Sequence, residues 1–389
     1  MELDLTWILL GLPTAFALGW IASRLDLRQM RIANRQAPRA YFKGLNYLLN
    51  EQQDQAIDAF IEAVQNDPDT SELHFALGNL FRRRGEYDRA VRVHEHLLSR
   101  ADISQADRQR AQHGLALDYL KAGLLDRAEE ALRKLEGTSY EGQARLARMA
   151  IYERSREWPQ AAAVAQLLEK SGEVDFGNRL AHYQCELARE ATQKGQSGQA
   201  LEILTQTQKN HPDAARPRIL LGQLQLNQGQ ATAAYDTLAV LFERYDMAAP
   251  LAAASLVQAA LACNKTSEAS DLLQAHYQRQ PGIDVLDAIT SLNANTAHSA
   301  GTSAASAQQR YLDHLQKNPS LMAASRWLTG PQHAGFELPA PVQKALDNAT
   351  KPLARYRCAA CGFEAKEHFW HCPGCQAWDS YPPRRIEEL

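Results

Sequence analysis

The sequence has few of the residues that define several specialised classes of protein. Its 389 residues include six cysteines, too few for a disulfide scaffold. With 21 glycines and 16 prolines it is neither collagen-like nor of low complexity. The 42 lysines and arginines nearly balance the 45 aspartates and glutamates, so the chain lacks the overall positive charge that nucleic-acid binding normally needs. Because 45% of the residues are hydrophobic, we expect a large packed core and no nucleic-acid partner.

The amino terminus contains a charge-free stretch at residues 5–23. As a helix rising about 1.5 Å per residue it would span roughly 28 Å, close to the hydrocarbon thickness of a bilayer. A cleaved signal peptide is the alternative, and Ala15 and Ala17 flank a small-x-small cleavage site. Signal peptides begin with basic residues, however, whereas this chain begins with the acidic Glu2. We therefore predict a retained transmembrane anchor at residues 1–23.

A basic juxtamembrane segment, residues 24–36, follows the predicted anchor. Its arginines recur at spacings of four, three and four residues: Arg24, Arg28, Arg31 and Arg35. The basic flank of a single span stays in the cytoplasm, which predicts that the N-terminus lies outside and that everything after residue 23 lies in the cytoplasm. On a helix these arginines share one face, which either meets anionic headgroups or an acidic partner, or serves topology alone.

Residues 37–282 repeat with a period near 34. Each unit has a small and an aromatic residue in one helix, a turn, and an alanine in the second helix. That alanine recurs seven times: Ala56, Ala90, Ala128, Ala161, Ala200, Ala234 and Ala269. The pattern resembles the tetratricopeptide repeat, and the resemblance implies an all-α superhelix of about seven helical hairpins with a concave groove.

Residues 283–350 are predicted to hold a degenerate repeat and connecting helices. The small, polar stretch at residues 291–306 is predicted to be a loop or a frayed helix. In the second repeat, Asn79, Arg82 and Arg83 are candidate groove residues that could hold an acidic peptide, with a solvated helix face as the alternative.

The sequence contains no Ser/His/Asp order, phosphate-binding glycine loop or HExxH motif, so no catalytic residue is assigned. Cys185 and Cys263 stand alone within the repeats. A lone free cysteine is usually a small buried hydrophobe, and we interpret both in that way. The repeats are therefore predicted to be a binding surface rather than an enzyme.

The last segment, residues 351–389, contains two CxxC pairs, formed by Cys358, Cys361, Cys372 and Cys375. Two such knuckles predict a closed four-thiolate site for one ion that stabilises the fold. Zinc suits this site, and iron is the alternative. His371 could also ligate, although four cysteines suffice. The segment resembles rubredoxin-type zinc ribbons, and departs from them at Gln376, where rubredoxins typically have glycine.

The order of anchor, tetratricopeptide repeats and terminal ribbon resembles the lipopolysaccharide assembly protein B (LapB) family. The resemblance implies a non-enzymatic inner-membrane adaptor that regulates lipopolysaccharide biosynthesis by presenting the deacetylase LpxC to the membrane protease FtsH. It also implies contact with another inner-membrane protein through the anchor. Two alternatives share these sequence features: a general membrane-tethered scaffold for envelope or lipopolysaccharide assembly enzymes, and a rubredoxin-like electron carrier.

Overall fold

A computed structural model of the chain describes residues 16, 20, 42–66, 70–170, 172, 175–296, 300–330 and 338–389. Apart from Phe16 and Trp20, the predicted anchor lies outside the described residues, and so does the basic juxtamembrane segment. Among the residues that are described, no helix combines the length and the apolar character needed to cross a membrane.

The chain divides into two compact units, Met1–Ile151 and Tyr152–Leu389. In the first unit residues 42–49 form α1, which is followed by α2 (Gln53–Asn66), α3 (Ser71–Arg84), α4 (Tyr87–Ser99), α5 (Gln105–Ala122), α6 (Leu125–Arg133) and most of α7 (Glu141–Ser155). The second unit continues with α8 (Trp158–Lys170), α9 (Gly177–Gln193), α10 (Ser197–Asn210), α11 (Ala215–Asn227), α12 (Ala231–Arg244), α13 (Ala253–Cys263) and α14 (Thr266–Arg279).

Consecutive helices pair into the hairpins that the sequence predicts. All seven recurring alanines are fully buried, because each lies where the second helix of a hairpin crosses close to another helix. Gly78 and Gly222 allow the same close approach, since a Cβ on Gly222 would lie 2.5 Å from Leu238. Gly85 ends α3 in a left-handed conformation (φ +85°) and so turns the chain into α4. The predicted all-α tetratricopeptide fold is confirmed.

A buried polar cluster crosses the core of the first unit. The fully buried Asp118 accepts a hydrogen bond from Arg82 Nη1 at 2.9 Å, and His94 Nδ1 lies 2.6 Å from its other oxygen. Arg82 also donates to Asn79 Oδ1. Of the three candidate groove residues, Arg82 therefore pairs with the buried Asp118 carboxylate and Asn79 accepts a hydrogen bond from Arg82, while Arg83 is exposed.

Residues 291–306, predicted to be a loop or a frayed helix, are mostly helical among the residues described, so the loop alternative is wrong. Helix α15 spans Ile283–Thr296 and α16 spans Ala300–Lys317. Leu286, Ile289 and Leu292 give α15 a buried apolar face. Two further helices follow, α17 (Leu321–Leu328) and α18 (Ala340–Leu353).

The chain ends in a small ribbon at residues 356–389. Strand β1 (Tyr356–Arg357) pairs antiparallel with β2 (Glu364–Ala365), with Tyr356 opposite Ala365. A single bridge joins His371 to Trp378, and a short 3-10 turn, Ile386–Glu388, ends the chain. Tyr356, Cys358, Cys372 and Tyr381 form the small core of the ribbon. Each of the two hairpin-like loops carries one CxxC pair.

Candidate metal centre and its contact with the repeats

The four ribbon cysteines come together at one point. Their sulfur atoms all lie within 4.8 Å of one another. Sγ of Cys358 is 3.8 Å from Sγ of Cys375, and Sγ of Cys361 is 3.7 Å from Sγ of Cys372. Cys358 and Cys372 are buried, whereas Cys361 and Cys375 are exposed, so one edge of the four-sulfur group faces outward.

The two knuckles share one backbone pattern. In the first, Cys358 N donates to Phe363 O and Gly362 N donates to Cys358 O. In the second, Cys372 N donates to Ala377 O and Gln376 N donates to Cys372 O. Gly362 and Gln376 are therefore equivalent positions, and both have left-handed φ angles, +77° and +61°. The departure from the rubredoxin pattern at Gln376 thus falls at a position that favours glycine.

The thiols interact with one another. Desolvation opposes ionisation of Cys358, but nearby hydrogen bonds from Ser380 and from the backbone amides of Cys361 and Ala360 lower its pKa to about 6. The pKa of Cys361 is raised to about 12 despite a backbone hydrogen bond from Phe363, because desolvation and sharing of its hydrogen with the other sulfurs favour the neutral thiol. The pKa values of the two thiols of the first knuckle are therefore shifted in opposite directions.

The spacing of the sulfurs fits a tetrahedral ion. Metal–sulfur bonds of about 2.3 Å to zinc place tetrahedral sulfurs about 3.8 Å apart, which matches the distances between Cys358 and Cys375 and between Cys361 and Cys372. His371 is not part of this group among the described residues. Its ring stacks on Trp378 instead, with centroids 4.3 Å apart. The arrangement is a one-ion, four-cysteine site.

Trp378, three residues after the last cysteine, docks the ribbon on the repeats of the second unit. Its indole Nε1 donates to Glu153 Oε1 at 3.1 Å. Its ring stacks on His182 of α9, with centroids 4.8 Å apart, and meets Trp158 and Tyr183 edge to face. Trp378 therefore packs against the helices of the repeats rather than only within the small core of the ribbon.

Polar contacts surround the tryptophan. The exposed Asp379 accepts from Nε2 of the buried His182 at 2.9 Å. Desolvation lowers the pKa of His182, and the Asp379 carboxylate opposes that shift. Glu153 also accepts from Arg179 Nη1 at 2.6 Å, and burial together with its hydrogen bond to Glu153 raises the pKa of Tyr183.

The end of the chain fastens the ribbon to α15 and α17. Arg385 pairs with Asp284 through two nitrogens, at 2.9 Å and 2.8 Å, and its guanidinium lies 4.2 Å from the centre of the Tyr356 ring. Glu388 accepts from the backbone N–H of Ile283 at 2.6 Å, the first residue of α15. Glu387 accepts from Met322 N at 3.1 Å in the first turn of α17. Carboxylates at helix N-termini satisfy free N–H groups and complement the helix dipole.

The two cysteines of the repeats do not join this site. Cys185 is fully buried, and desolvation raises the pKa of its thiol to about 12. Cys263 is half-buried at the end of α13. The docking residues Glu153, His182 and Asp284 were not singled out from the sequence. The sequence shows a mixture of acidic and aromatic residues after Cys375, which indicates that the ribbon has polar and aromatic contacts but does not identify the residues it contacts.

Known proteins share both parts of this architecture. The family described as "Rubredoxin metal binding domain" matches residues 356–382, and the tetratricopeptide repeat family matches residues 43–102 and 185–246. A solved tetratricopeptide repeat protein from Parabacteroides merdae is 13% identical, with a TM-score of 0.34, and the match covers 66% of this chain and 99% of that one.

Two curated relatives match over almost the whole sequence, and both carry the name lipopolysaccharide assembly protein B. The protein from Haemophilus influenzae is 26% identical, with 98% of each chain covered. The protein from Escherichia coli strain K12 is 31% identical, also with 98% of each chain covered. On the strength of this full-length similarity, the chain belongs to the lipopolysaccharide assembly protein B family.

Proposed function

We propose that this protein is an inner-membrane adaptor in the regulation of lipopolysaccharide biosynthesis, and that it presents the deacetylase LpxC to the protease FtsH for degradation. The repeat fold and the family are those of a non-enzymatic scaffold or adaptor. Membership of the lipopolysaccharide assembly protein B family supports the pathway, and the family resemblance is the ground for naming LpxC and FtsH.

The observation that carries the adaptor proposal is the docking of the ribbon on the first helices of the repeats. Trp378 and Asp379 contact α9, and Arg385 contacts α15. First helices line the concave face in tetratricopeptide arrays. The ribbon thus forms one wall of the surface on which a client would bind. A metal that stabilises the ribbon would therefore also stabilise this surface, which gives a metal centre a role in a non-enzymatic protein.

Residues 1–23 are proposed to anchor the chain, with the N-terminus in the periplasm and the repeats and ribbon in the cytoplasm. A tether of this kind holds the repeats beside a membrane-bound protease. It raises the effective concentration of a bound client at the protease without any further contact. The anchor is also the segment through which another inner-membrane protein would reach this one.

We propose Cys358, Cys361, Cys372 and Cys375 as the ligands of one ion, with zinc as the first choice and iron as the alternative. The ion would supply folding free energy to the ribbon, because a segment this small has little core of its own. These residues would hold the ion, and the ordered ribbon would then contact the repeats through Trp378 and Arg385.

The substitution Cys372→Ser tests both the metal site and the adaptor role. We expect loss of bound metal, an unchanged far-UV helical signal, and a longer half-life of LpxC in cells that depend on the variant, because a disordered ribbon no longer completes the client surface. Cys263→Ser, in the repeats, is the matched control and should keep metal and turnover.

The measurements are metal content by mass spectrometry, helicity by circular dichroism and LpxC half-life after translation is blocked. A variant that has lost its metal yet degrades LpxC at the normal rate would contradict a role for the ribbon in client turnover. A wild-type preparation that contains iron with a reversible potential would favour the electron carrier instead.

A further inference from the structure

The first helices of the second unit and the ribbon enclose a continuous trough. It consists of three cavities of about 760, 450 and 200 Å³ that share lining residues. Gln223 joins the largest cavity to the smallest, and Arg189 joins the smallest to the third. Trp370 of the ribbon lines both of the larger ones.

We infer that this trough binds an extended peptide segment of the client, with apolar side chains in its middle and a carboxylate at one end. The inference rests on the proposed adaptor function and deepens it, because it states the chemistry of the segment that is recognised.

Carboxamide side chains on successive first helices line the trough. Gln223 of α11 and Gln258 of α13 lie 35 residues apart, and Gln193 of α9 and Asn227 of α11 lie 34 residues apart. The repeat period therefore sets them in register along the trough. None of these four carboxamides makes a side-chain hydrogen bond within the described part of the chain. Each amide can donate and accept at once, as an extended peptide main chain requires.

Charge is uneven along the trough. Arg154 and Arg156, at one end, are exposed and form no ion pair with any described residue. Three glutamates line the same cavity: Glu153 pairs with Arg179 and Glu186 with Arg216, whereas Glu190 accepts from the neutral Trp158 Nε1 at 3.1 Å and keeps its charge, so the two arginines outnumber it. The uncompensated charge at this end is therefore positive, which suits a carboxylate of the bound segment.

The middle of the trough is apolar and matches a short extended segment in length. Leu204, Leu220 and Leu224 line the smallest cavity, which lies between the other two, and the half-buried Leu251 and Leu261 line the adjoining part of the largest one. Packed helices lie about 8–10 Å apart, so α9 to α13 spans roughly 16–20 Å. An extended chain rises about 3.3 Å per residue, so five or six residues cover that span. Apolar residues at alternate positions of the segment would face these leucines.

Fluorescence anisotropy with the full chain in detergent micelles tests the inference. The probe is a labelled peptide, Ser-Leu-Thr-Leu-Ser-Leu-Ser-Asp-Glu, compared with the same peptide ending in Asn-Gln and an amidated C-terminus. We expect the acidic peptide to bind at least tenfold more tightly. The double variant Arg154→Glu, Arg156→Glu should abolish that preference. The double variant Gln223→Leu, Gln258→Leu should lower the affinity for both peptides at least fivefold.

Matched controls lie on second helices, away from the trough. Arg244→Glu on α12 and Gln278→Leu on α14 change the same residue types at exposed positions and should leave affinity within twofold. The inference would be overturned if the arginine variant kept the wild-type preference for the acidic peptide, or if the wild type bound neither peptide. Displacement of the peptide by millimolar inorganic phosphate alone would also overturn it, since the site would then be a simple anion site.

A parallel measurement of LpxC half-life separates this inference from the proposed function. If the wild-type chain promotes LpxC turnover and both trough variants do so equally well, the trough inference fails and the adaptor function stands. If the peptides bind as expected but loss of the chain leaves LpxC turnover unchanged, the adaptor function fails and the peptide site stands.

Discussion

The single residue with the clearest conformational cost is Gln376. It has φ +61° at the end of the second knuckle, where the equivalent position in the first knuckle is Gly362. A non-glycine side chain in the left-handed region costs about 1–2 kcal/mol. The backbone N–H of Gln376 still closes the knuckle by donating to Cys372 O at 2.8 Å, so the turn retains its hydrogen bond at the expense of backbone strain.

Replacing this residue by glycine should stabilise the ribbon. We expect Gln376→Gly to raise the free energy of unfolding of the metal-bound ribbon by about 0.5–1 kcal/mol, since relief of strain exceeds the added entropy of the unfolded chain. Resistance of the bound metal to a chelator measures the change. Ala359→Gly, at an exposed ribbon position without positive φ, should lower the resistance of the bound metal to the chelator. A lower resistance in both variants would contradict this account.

At the scale of elements, close helix crossings decide the stability of the array. Gly222 of α11 faces Leu238 of α12, and an added Cβ would lie 2.5 Å from two of its atoms. Gly198 of α10 has nothing within 4 Å of the equivalent point. Two helical glycines that look alike in the sequence therefore have different roles, one in packing and one without a neighbour.

Alanine at these two positions gives a matched test. Gly222→Ala should destabilise the second unit by about 1–3 kcal/mol, because overpacking forces α11 and α12 apart. Gly198→Ala should be neutral or slightly stabilising, since alanine is the better helix former. Thermal unfolding followed by circular dichroism measures both, and equal midpoints for the two variants would show that the crossing at Gly222 accommodates a methyl group.

At the scale of the whole molecule, the proposed anchor and the repeats are expected to be independent. Deletion of residues 1–23 should release the protein from membranes and keep its helicity, because the fully buried alanines of the repeat crossings, Ala56 to Ala269, all lie outside the deleted segment. Membrane fractionation and circular dichroism check this result. Full retention of the truncated chain in the membrane fraction would contradict the anchor.

Buried histidines should make the whole protein less stable in mild acid. Desolvation lowers the pKa of His182, His276 and His314 below the ordinary value of 6.5. As the pH falls below about 6.5, the unfolded chain binds protons that the folded chain resists, so stability is present above that pH and declines below it.

His276 allows this pH dependence to be tested away from the metal site. It is fully buried on α14, where burial lowers its pKa against an opposing effect of Asp246. We expect the fall in the unfolding midpoint between about pH 7.5 and 5.5 to be smaller in His276→Gln than in the wild type. Identical pH slopes for the two proteins would show that this histidine does not contribute.

Local patterns in the amino-acid sequence are sufficient to predict the repeat architecture and the composition of the metal site. Seven alanines at near-constant spacing predict seven close crossings, because a crossing tolerates only a small side chain, and all seven are fully buried. Two CxxC pairs predict a four-sulfur group, because each knuckle is local in sequence and needs no distant partner.

Contacts between residues far apart in the sequence are visible only in the folded chain. The contact of Trp378 with Glu153 joins residues 225 positions apart, and the pairing of Arg385 with Asp284 joins residues 101 apart. No local periodicity encodes such pairs. Arg82 appears in the sequence as a free groove cation, yet the distant Asp118 engages it. The repeat period puts the carboxamides in register. The trough forms only because the end of the chain packs back onto the first helices. That packing depends on complementary shape and charge between segments that are distant in sequence.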